Sequence, residues 1–121
     1  MPAKPRAAPR FPTGIATYLF TDLEGSTRLW EAEPVRMAPA LARHDQLCRA
    51  VVAAHGGRLV KMTGDGMLAV FGDAAVAVGA ALELQQGMTA IAADCGLALK
   101  MRSGHCSQTG LTRGSCITAR T

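Results

Sequence analysis

The chain has 121 residues, of which 49% are hydrophobic and 18% are charged, and its formal net charge at pH 7 is +4. This composition is typical of one globular domain and excludes an intrinsically disordered chain. No run of about 18 apolar residues is present, so we predict no transmembrane helix and no membrane partner. The N-terminal bases are not followed by an apolar stretch, which argues against a signal peptide.

The basic residues are concentrated at the two ends of the chain. Residues 1–13 hold three bases and no acid, and residues 100–121 hold four bases and no acid. Residues 14–99 hold six bases against nine acids, a net charge of −3. A nucleic-acid-binding domain carries its positive charge on the folded body, so this distribution argues against a nucleic-acid partner.

The four cysteines, Cys48, Cys95, Cys106 and Cys116, are widely spaced. Their spacing matches neither a zinc site nor a disulfide scaffold. We interpret them as thiols in a reducing compartment and predict a cytoplasmic protein.

The first part of the chain predicts a leader, a strand and the start of a helix. Residues 1–13 contain four prolines and three bases, which is typical of a flexible, extended leader. Residues 15–21 are β-branched, aromatic and apolar on both faces, which predicts a central strand. The following Gly25-Ser26-Thr27 ends this strand and opens a helix, with Ser26 or Thr27 as the N-cap.

The middle of the chain predicts a long helix, a hairpin and a second long helix. Apolar residues at three-and-four spacing predict an amphipathic helix over residues 36–54. The Asp-Gly turn within residues 58–72 predicts a β-hairpin. An Ala-rich segment with an apolar residue every four positions predicts a helix over residues 74–88.

Residues 97–102 return to an extended apolar pattern. The predicted order is therefore strand, one or two helices, strand, strand, helix, strand, an α+β plan of ferredoxin-like βααββαβ type. Residues 105–121 show neither helical nor strand periodicity, and we predict an unstructured tail. The chain thus divides into a leader (1–13), a domain (14–104) and a tail (105–121).

Asp22 and Asp65 are the residues most suited to chemistry. One follows the first predicted strand and the other lies in the hairpin turn, so both can meet at one edge of an antiparallel core. Two carboxylates there suit Mg²⁺ or Mn²⁺. The alternative is that both acids simply stabilise turns.

Two further features fit a phosphate-bearing ligand. The amides of Gly25, Ser26 and Thr27 can bind an anion at a helix start, or the segment is an ordinary N-cap. Lys61 lies on the first hairpin strand, where its amine either extends into solvent or projects into a ligand pocket.

Several of these residues belong to longer stretches that resemble one family. Residues 20–30, Phe-Thr-Asp-Leu-Glu-Gly-Ser-Thr-Arg-Leu-Trp, closely resemble the opening motif of the class III nucleotidyl cyclase domain. The resemblance continues through Arg43-His44-Asp45 and His55-Gly56-Gly57. Residues 60–71, Val-Lys-Met-Thr-Gly-Asp-Gly-Met-Leu-Ala-Val-Phe, match a second motif. The likeness covers about residues 15–104 and is greatest to bacterial adenylate/guanylate cyclase domains.

The resemblance implies a fold, a reaction and an assembly. The fold is the ferredoxin-like cyclase fold, and the active form is a head-to-tail homodimer with active sites at the subunit interface. The reaction converts ATP, or GTP as the alternative substrate, into the 3′,5′-cyclic nucleotide and pyrophosphate. The cofactors are two Mg²⁺ or Mn²⁺ ions per site, which act in two-metal catalysis.

The resemblance also implies roles by motif position. Asp22 and Asp65 match the two catalytic, metal-binding aspartates, and the backbone carbonyl of Leu23 matches a further metal ligand. The turn Gly25-Ser26-Thr27 matches the triphosphate-binding turn. Lys61 matches the base-selecting lysine, which reaches the adenine of a nucleotide held by the partner's aspartates.

The C-terminal part of the chain departs from the family pattern. The family continues after the strand matching residues 97–104 into a Gly-Leu-His-x-Gly-like turn, from which Gly104-His105-Cys106 differs. A later family segment supplies a base-selecting Asp or Thr, and an Asn and an Arg that stabilise the transition state. We find no match to that segment and interpret the domain as C-terminally truncated or frameshifted.

This departure leads to two functional hypotheses. The first is an adenylate cyclase-family domain with little or no activity alone, since loss of transition-state charge stabilisation costs orders of magnitude in rate. The alternative is a non-catalytic nucleotide- or metal-binding module for regulation or dimerisation in signalling.

Overall fold

The computed structural model describes residues 15–109 and 116–120, with side chains described for residues 16–107. The predicted leader and residues 110–115 and 121 lie outside the described residues. The elements are, in chain order, β1 (Ile15–Glu24), α1 (Ser26–Ala32), α2 (Pro34–Ala54), β2 (Arg58–Met62), β3 (Gly66–Phe71), α3 (Ala74–Cys95), β4 (Lys100–Thr109) and β5 (Cys116–Arg120).

The described strands form one antiparallel sheet in the order β2-β3-β1-β4-β5. β1 lies at the centre, as its apolar sequence predicts. β3 lies between β1 and β2, which is the split arrangement of a ferredoxin-like plan. The predicted α+β fold and the predicted order of elements from β1 to β4 are confirmed.

One face of the sheet is covered by the long helices. Leu19 and Leu23 on β1 are buried, at 0% and 2% exposure, while the intervening Phe20 is 42% exposed. Because side chains alternate between the faces of a strand, this pattern defines a helix-covered face and a second face that no helix of the described residues covers, called the helix-free face below. On the covered face, Ser103 accepts a hydrogen bond of 3.1 Å from Gln85 of α3.

The helices are longer than the sequence pattern predicts. α2 begins at Pro34, which suits the first turn, and is preceded by a separate short helix α1. α3 runs seven residues past Met88 to Cys95, because Ile91 and Ala92 continue its buried stripe. Asp73 caps α3 at its start, and Gly96 ends it in a left-handed conformation. In the described part of the chain, neither these helices nor α1 is long and apolar enough to cross a membrane.

The prediction of an unstructured tail from residue 105 onwards is wrong for the residues that the structure describes there. β4 continues to Thr109, paired with β1, and Cys116–Arg120 pairs with β4. The sequence shows no strand periodicity in this region. The backbone hydrogen bonds offered by β1 and β4 nevertheless order it, since strand formation depends more on pairing partners than on intrinsic propensity.

Candidate active site

Asp22 and Asp65 are brought close where the central strand β1 meets the hairpin turn. Asp22 is the register partner of Gly66, the residue after Asp65. The backbone N–H of Leu23 donates to the carbonyl oxygen of Asp65 over 3.1 Å. The predicted meeting of these two acids is therefore a feature of the backbone pairing between β1 and the hairpin.

Asp22 lies within β1, whereas the sequence pattern ends the strand at residue 21. The strand continues to Glu24 because β4 pairs with it as far as Lys100. As a result Asp22 has a cross-strand partner on each side, Gly66 of β3 and Arg102 of β4.

Gly66 makes the close contact between the hairpin and β1 possible. A Cβ atom at this position would lie 2.4 Å from the carbonyl oxygen of Thr21 and 2.8 Å from Oγ1 of Thr63. The backbone N–H of Thr63 also donates to the carbonyl oxygen of Gly66, closing the turn at 3.0 Å. The Asp65-Gly66 pair thus forms the hairpin turn and also allows Asp65 to lie close to β1.

Arg102 is a site residue that the sequence reasoning missed. Its Nη2 atom donates to Oδ2 of Asp22 over 2.9 Å, and the two side chains are 40% and 48% exposed. Together with Phe20 and Ser103 they line an open cleft of about 260 Å³. The sequence does show bases at alternate positions, Lys100 and Arg102, in the apolar segment 97–102. That Arg102 lies beside Asp22 follows only from the register between β1 and β4.

Ser26 does not cap α1, and the prediction of Ser26 or Thr27 as the N-cap is wrong. The N-cap is Gly25, whose φ of 77° lies in the left-handed region that glycine tolerates. Ser26 is buried and its hydroxyl donates to Oδ2 of Asp65 over 2.6 Å. This contact ties the glycine turn to the hairpin and orients the Asp65 carboxylate.

An open cleft, which we call the glycine-turn cleft, lies beside the turn Gly25-Ser26-Thr27. It has a volume of about 360 Å³ and is lined by Ser26, Thr27, Trp30, Leu41, Gly64 and Asp65. Two of the three predicted turn residues, Ser26 and Thr27, and one of the predicted acids therefore share a concave surface. A phosphate-sized group fits in such a volume, and the hydroxyl of Thr27 on its wall can donate to it.

Lys61 lies apart from Asp22 but on the same face of the sheet. It pairs with Leu68, which in turn pairs with Phe20. Because opposed residues share a face, Lys61, Phe20 and Asp22 all belong to the helix-free face. Lys61 is exposed on the edge strand β2, two strands from Asp22.

The donor set fits a hard divalent cation that takes further ligands from its substrate. Asp22 and Asp65 are two acids whose backbones are neighbours, and the backbone N–H of Leu23 bonds the carbonyl oxygen of Asp65. The described residues contain no group of three or more His, Cys, Asp or Glu side chains able to enclose a metal. Mg²⁺ is commonly held by one or two carboxylates plus phosphate oxygens, and this open arrangement agrees with that preference.

Most of the chain matches a known family. The family model described as "Adenylate and Guanylate cyclase catalytic domain" matches residues 10–119. The chain belongs to this family.

Similar proteins support this assignment. A receptor-type adenylate cyclase of Trypanosoma congolense is 42% identical over 79 residues, which span 65% of this chain and 11% of that protein. A solved adenylate cyclase structure from Trypanosoma brucei superposes with a TM-score of 0.69 at 26% identity, covering 94% of this chain and 66% of that one. The guanylate cyclase domain of RhGC from Catenaria anguillulae, at 19% identity and a TM-score of 0.64, shares the fold and is covered over 66% of its length by 88% of this chain.

The cyclase-family domain described here thus spans a minor part of its curated relative and about two thirds of the solved domains. Its helix-free sheet face carries Asp22, Arg102 and Lys61, and the glycine-turn cleft lies at the end of the same central strand.

Proposed function

We propose that this chain forms part of an adenylate cyclase site, which converts ATP into 3′,5′-cyclic AMP and pyrophosphate in a head-to-tail homodimer. The observation that carries the proposal is the backbone pairing that sets Asp22 next to the hairpin turn, whose Asp65 lines the glycine-turn cleft. The choice of ATP rests on the relative named an adenylate cyclase, and a nucleotide substrate also agrees with a cytoplasmic location.

In this proposal Asp22, Asp65 and the carbonyl of Leu23 hold Mg²⁺ or Mn²⁺. When bound, the cation pair would activate the attacking 3′-hydroxyl and neutralise charge on the leaving pyrophosphate. The protein's own part is to present two carboxylates in fixed positions. Ser26 orients the Asp65 carboxylate, and Arg102 holds the Asp22 carboxylate until a cation takes its place.

The turn Gly25-Ser26-Thr27 would hold the triphosphate. The left-handed Gly25 turns the backbone away from β1, and the side chains of Ser26 and Thr27 line the adjacent cleft. The cleft is also walled by the backbone of Gly64, where no side chain obstructs an anion. Proximity to Asp65 would place the phosphates next to the cation.

Lys61 would select the base of a nucleotide bound by the partner subunit. One strand, β3, lies between β2 and β1, and Lys61 is level with Phe20, two residues from Asp22. Two strand spacings of about 4.8 Å and two residue rises of about 3.3 Å put the Cα atoms of Lys61 and Asp22 roughly 12 Å apart. An amine at that distance, exposed on an edge strand, is better placed to serve a second copy that docks on the helix-free face. This supports the dimer that the family resemblance implies.

We further propose that this 121-residue chain by itself turns over ATP slowly or not at all. Its sequence offers no match to the family's transition-state Asn and Arg. Loss of one such stabilising group typically costs about 100- to 1,000-fold in rate.

The proposal is tested by two measurements on the purified chain. Calorimetric titration with a non-hydrolysable ATP analogue and Mn²⁺ should show binding that Asp22→Ala abolishes. Incubation with ATP and Mn²⁺ should give little cyclic AMP. Binding without turnover would agree equally with a non-catalytic nucleotide-binding module. Robust turnover would overturn the proposed inactivity, and an unchanged affinity in Asp22→Ala would overturn the site.

A further inference from the structure

The ladder between β4 and β5 places two cysteines opposite each other. Its register pairs Arg102 with Arg120 at one end and Cys106 with Cys116 at the other. The spacing of the cysteines in the sequence does not predict this pairing, because the pairing depends on β5 running antiparallel beside β4. The arrangement is independent of the proposed catalytic function.

Backbone geometry alone makes this pair suitable for a cross-link. Directly opposed residues of an antiparallel pair have Cα atoms about 4.5 or 5.5 Å apart, depending on whether the pair is hydrogen-bonded. Disulfides span Cα separations of about 4.4–6.8 Å, so both values fall within the usual range. Opposed residues also share one face of the sheet, which brings the two positions onto the same side.

The other cysteines are less suited to this chemistry. Cys48 is fully buried in α2, and burial raises the pKa of its thiol to about 12. A thiol with so high a pKa holds little of the reactive thiolate near neutral pH. Cys95 lies at the C-terminal end of α3, outside the strand ladder. Cys106 lies on β4 and is partly exposed, so an oxidant can reach it.

We propose that Cys106 and Cys116 form a reversible cross-strand disulfide when the protein meets a small-molecule disulfide such as oxidised glutathione. The thiolate of one cysteine attacks the glutathione disulfide, forming a mixed disulfide and releasing one glutathione thiol. The second cysteine attacks the protein sulfur of that mixed disulfide and releases the second glutathione. Two protein thiols are oxidised, and one glutathione disulfide is reduced to two thiols.

The cross-link fastens β5, the last strand in the sheet order, to the rest of the sheet. It closes a loop over the nine intervening residues, 107–115. β4 is the strand that also carries Arg102 beside Asp22. Oxidation therefore fixes the outer edge of the sheet that flanks the candidate active site.

The experiment equilibrates the full chain with reduced and oxidised glutathione, natively and in urea, then traps thiols by alkylation and maps disulfides by peptide mass spectrometry. We expect the native chain to form the Cys106–Cys116 link with an equilibrium constant at least about tenfold higher than the unfolded chain. The reason is that folding has already brought the two strands together.

Matched variants identify the cysteines involved. Cys95→Ser should leave the cross-link unchanged. Cys106→Ser should abolish it and leave a lasting glutathione adduct on Cys116. Equal cross-linking in native and unfolded chains, a dominant disulfide through Cys95, or lasting glutathione adducts on both Cys106 and Cys116 of the wild type would each overturn the proposal.

Discussion

The two faces of the central sheet are built from alternate residues of the same strands and serve different ends. On the helix-covered face, Thr17, Leu19 and Leu23 of β1 are almost fully buried. On the helix-free face, Phe20 and Asp22 of the same strand remain partly exposed. One face therefore supplies the core, and the other keeps side chains in contact with solvent.

The difference shows how a small fold separates stability from function. Residues on the covered face are constrained by packing, where each lost contact lowers stability. Residues on the helix-free face can carry charge, since Asp22, Arg102 and Lys61 remain in contact with solvent. Substitutions on the two faces should accordingly change different measured quantities.

The largest contrast is expected between two neighbours on β1. Leu19→Ala creates a cavity in the core and should lower the free energy of unfolding by about 2–5 kcal/mol. Phe20→Ala removes a ring that is 42% exposed and covers Gly104, and should cost about 1 kcal/mol. Urea denaturation of both variants measures the difference. Equal losses would contradict the division into two faces.

A second contrast lies in the hairpin turn that carries Asp65. Gly66→Ala places a methyl group against the backbone of Thr21 and should cost about 1–3 kcal/mol. Gly64→Ala is the matched control, because a Cβ there meets no atom within 4 Å. Thermal unfolding followed by circular dichroism compares them, and a control as unstable as Gly66→Ala would argue against the close approach.

The buried Cys48 gives the stability of the core a dependence on pH. Burial raises its pKa from 9.0 to about 12, so the unfolded chain loses this proton at a lower pH than the folded one. Stability should therefore fall as pH rises from 9 towards 12, by up to about 1.4 kcal/mol per pH unit. Cys48→Ala should remove this part of the slope in denaturation curves. An unchanged slope in the variant would contradict the assignment.

Substitution of Arg102 should have the smallest effect on stability and should strengthen cation binding. Removal of this partly exposed ion pair should change the free energy of unfolding by less than about 1 kcal/mol. Because its guanidinium competes with a cation for Asp22, Arg102→Ala should raise Mn²⁺ affinity about fivefold. Arg102→Lys, which keeps the charge, should stay close to the wild type. Weaker Mn²⁺ binding by Arg102→Ala would show that Arg102 assists the site.

Local sequence signals predicted the elements and the meeting of Asp22 with Asp65, because strand, turn and helix patterns are encoded within a few residues. They failed where pairing between distant strands decides the outcome. The extension of β1 to Glu24, the Asp22–Arg102 ion pair and the strand Cys116–Arg120 all depend on β4. Ser26 resembles an N-cap in sequence, but Asp65, brought close by folding, accepts its hydroxyl hydrogen bond.

The central claim is that Asp22 and Asp65 act together as one cation site where β1 meets the hairpin turn. Electron paramagnetic resonance titration of Mn²⁺, with a non-hydrolysable ATP analogue present, tests it most directly. Asp22→Asn and Asp65→Asn should each lower Mn²⁺ affinity at least about tenfold, while Asp94→Asn, an exposed acid on α3, should leave it unchanged. Equal Mn²⁺ affinity in all three variants and the wild type would contradict the account.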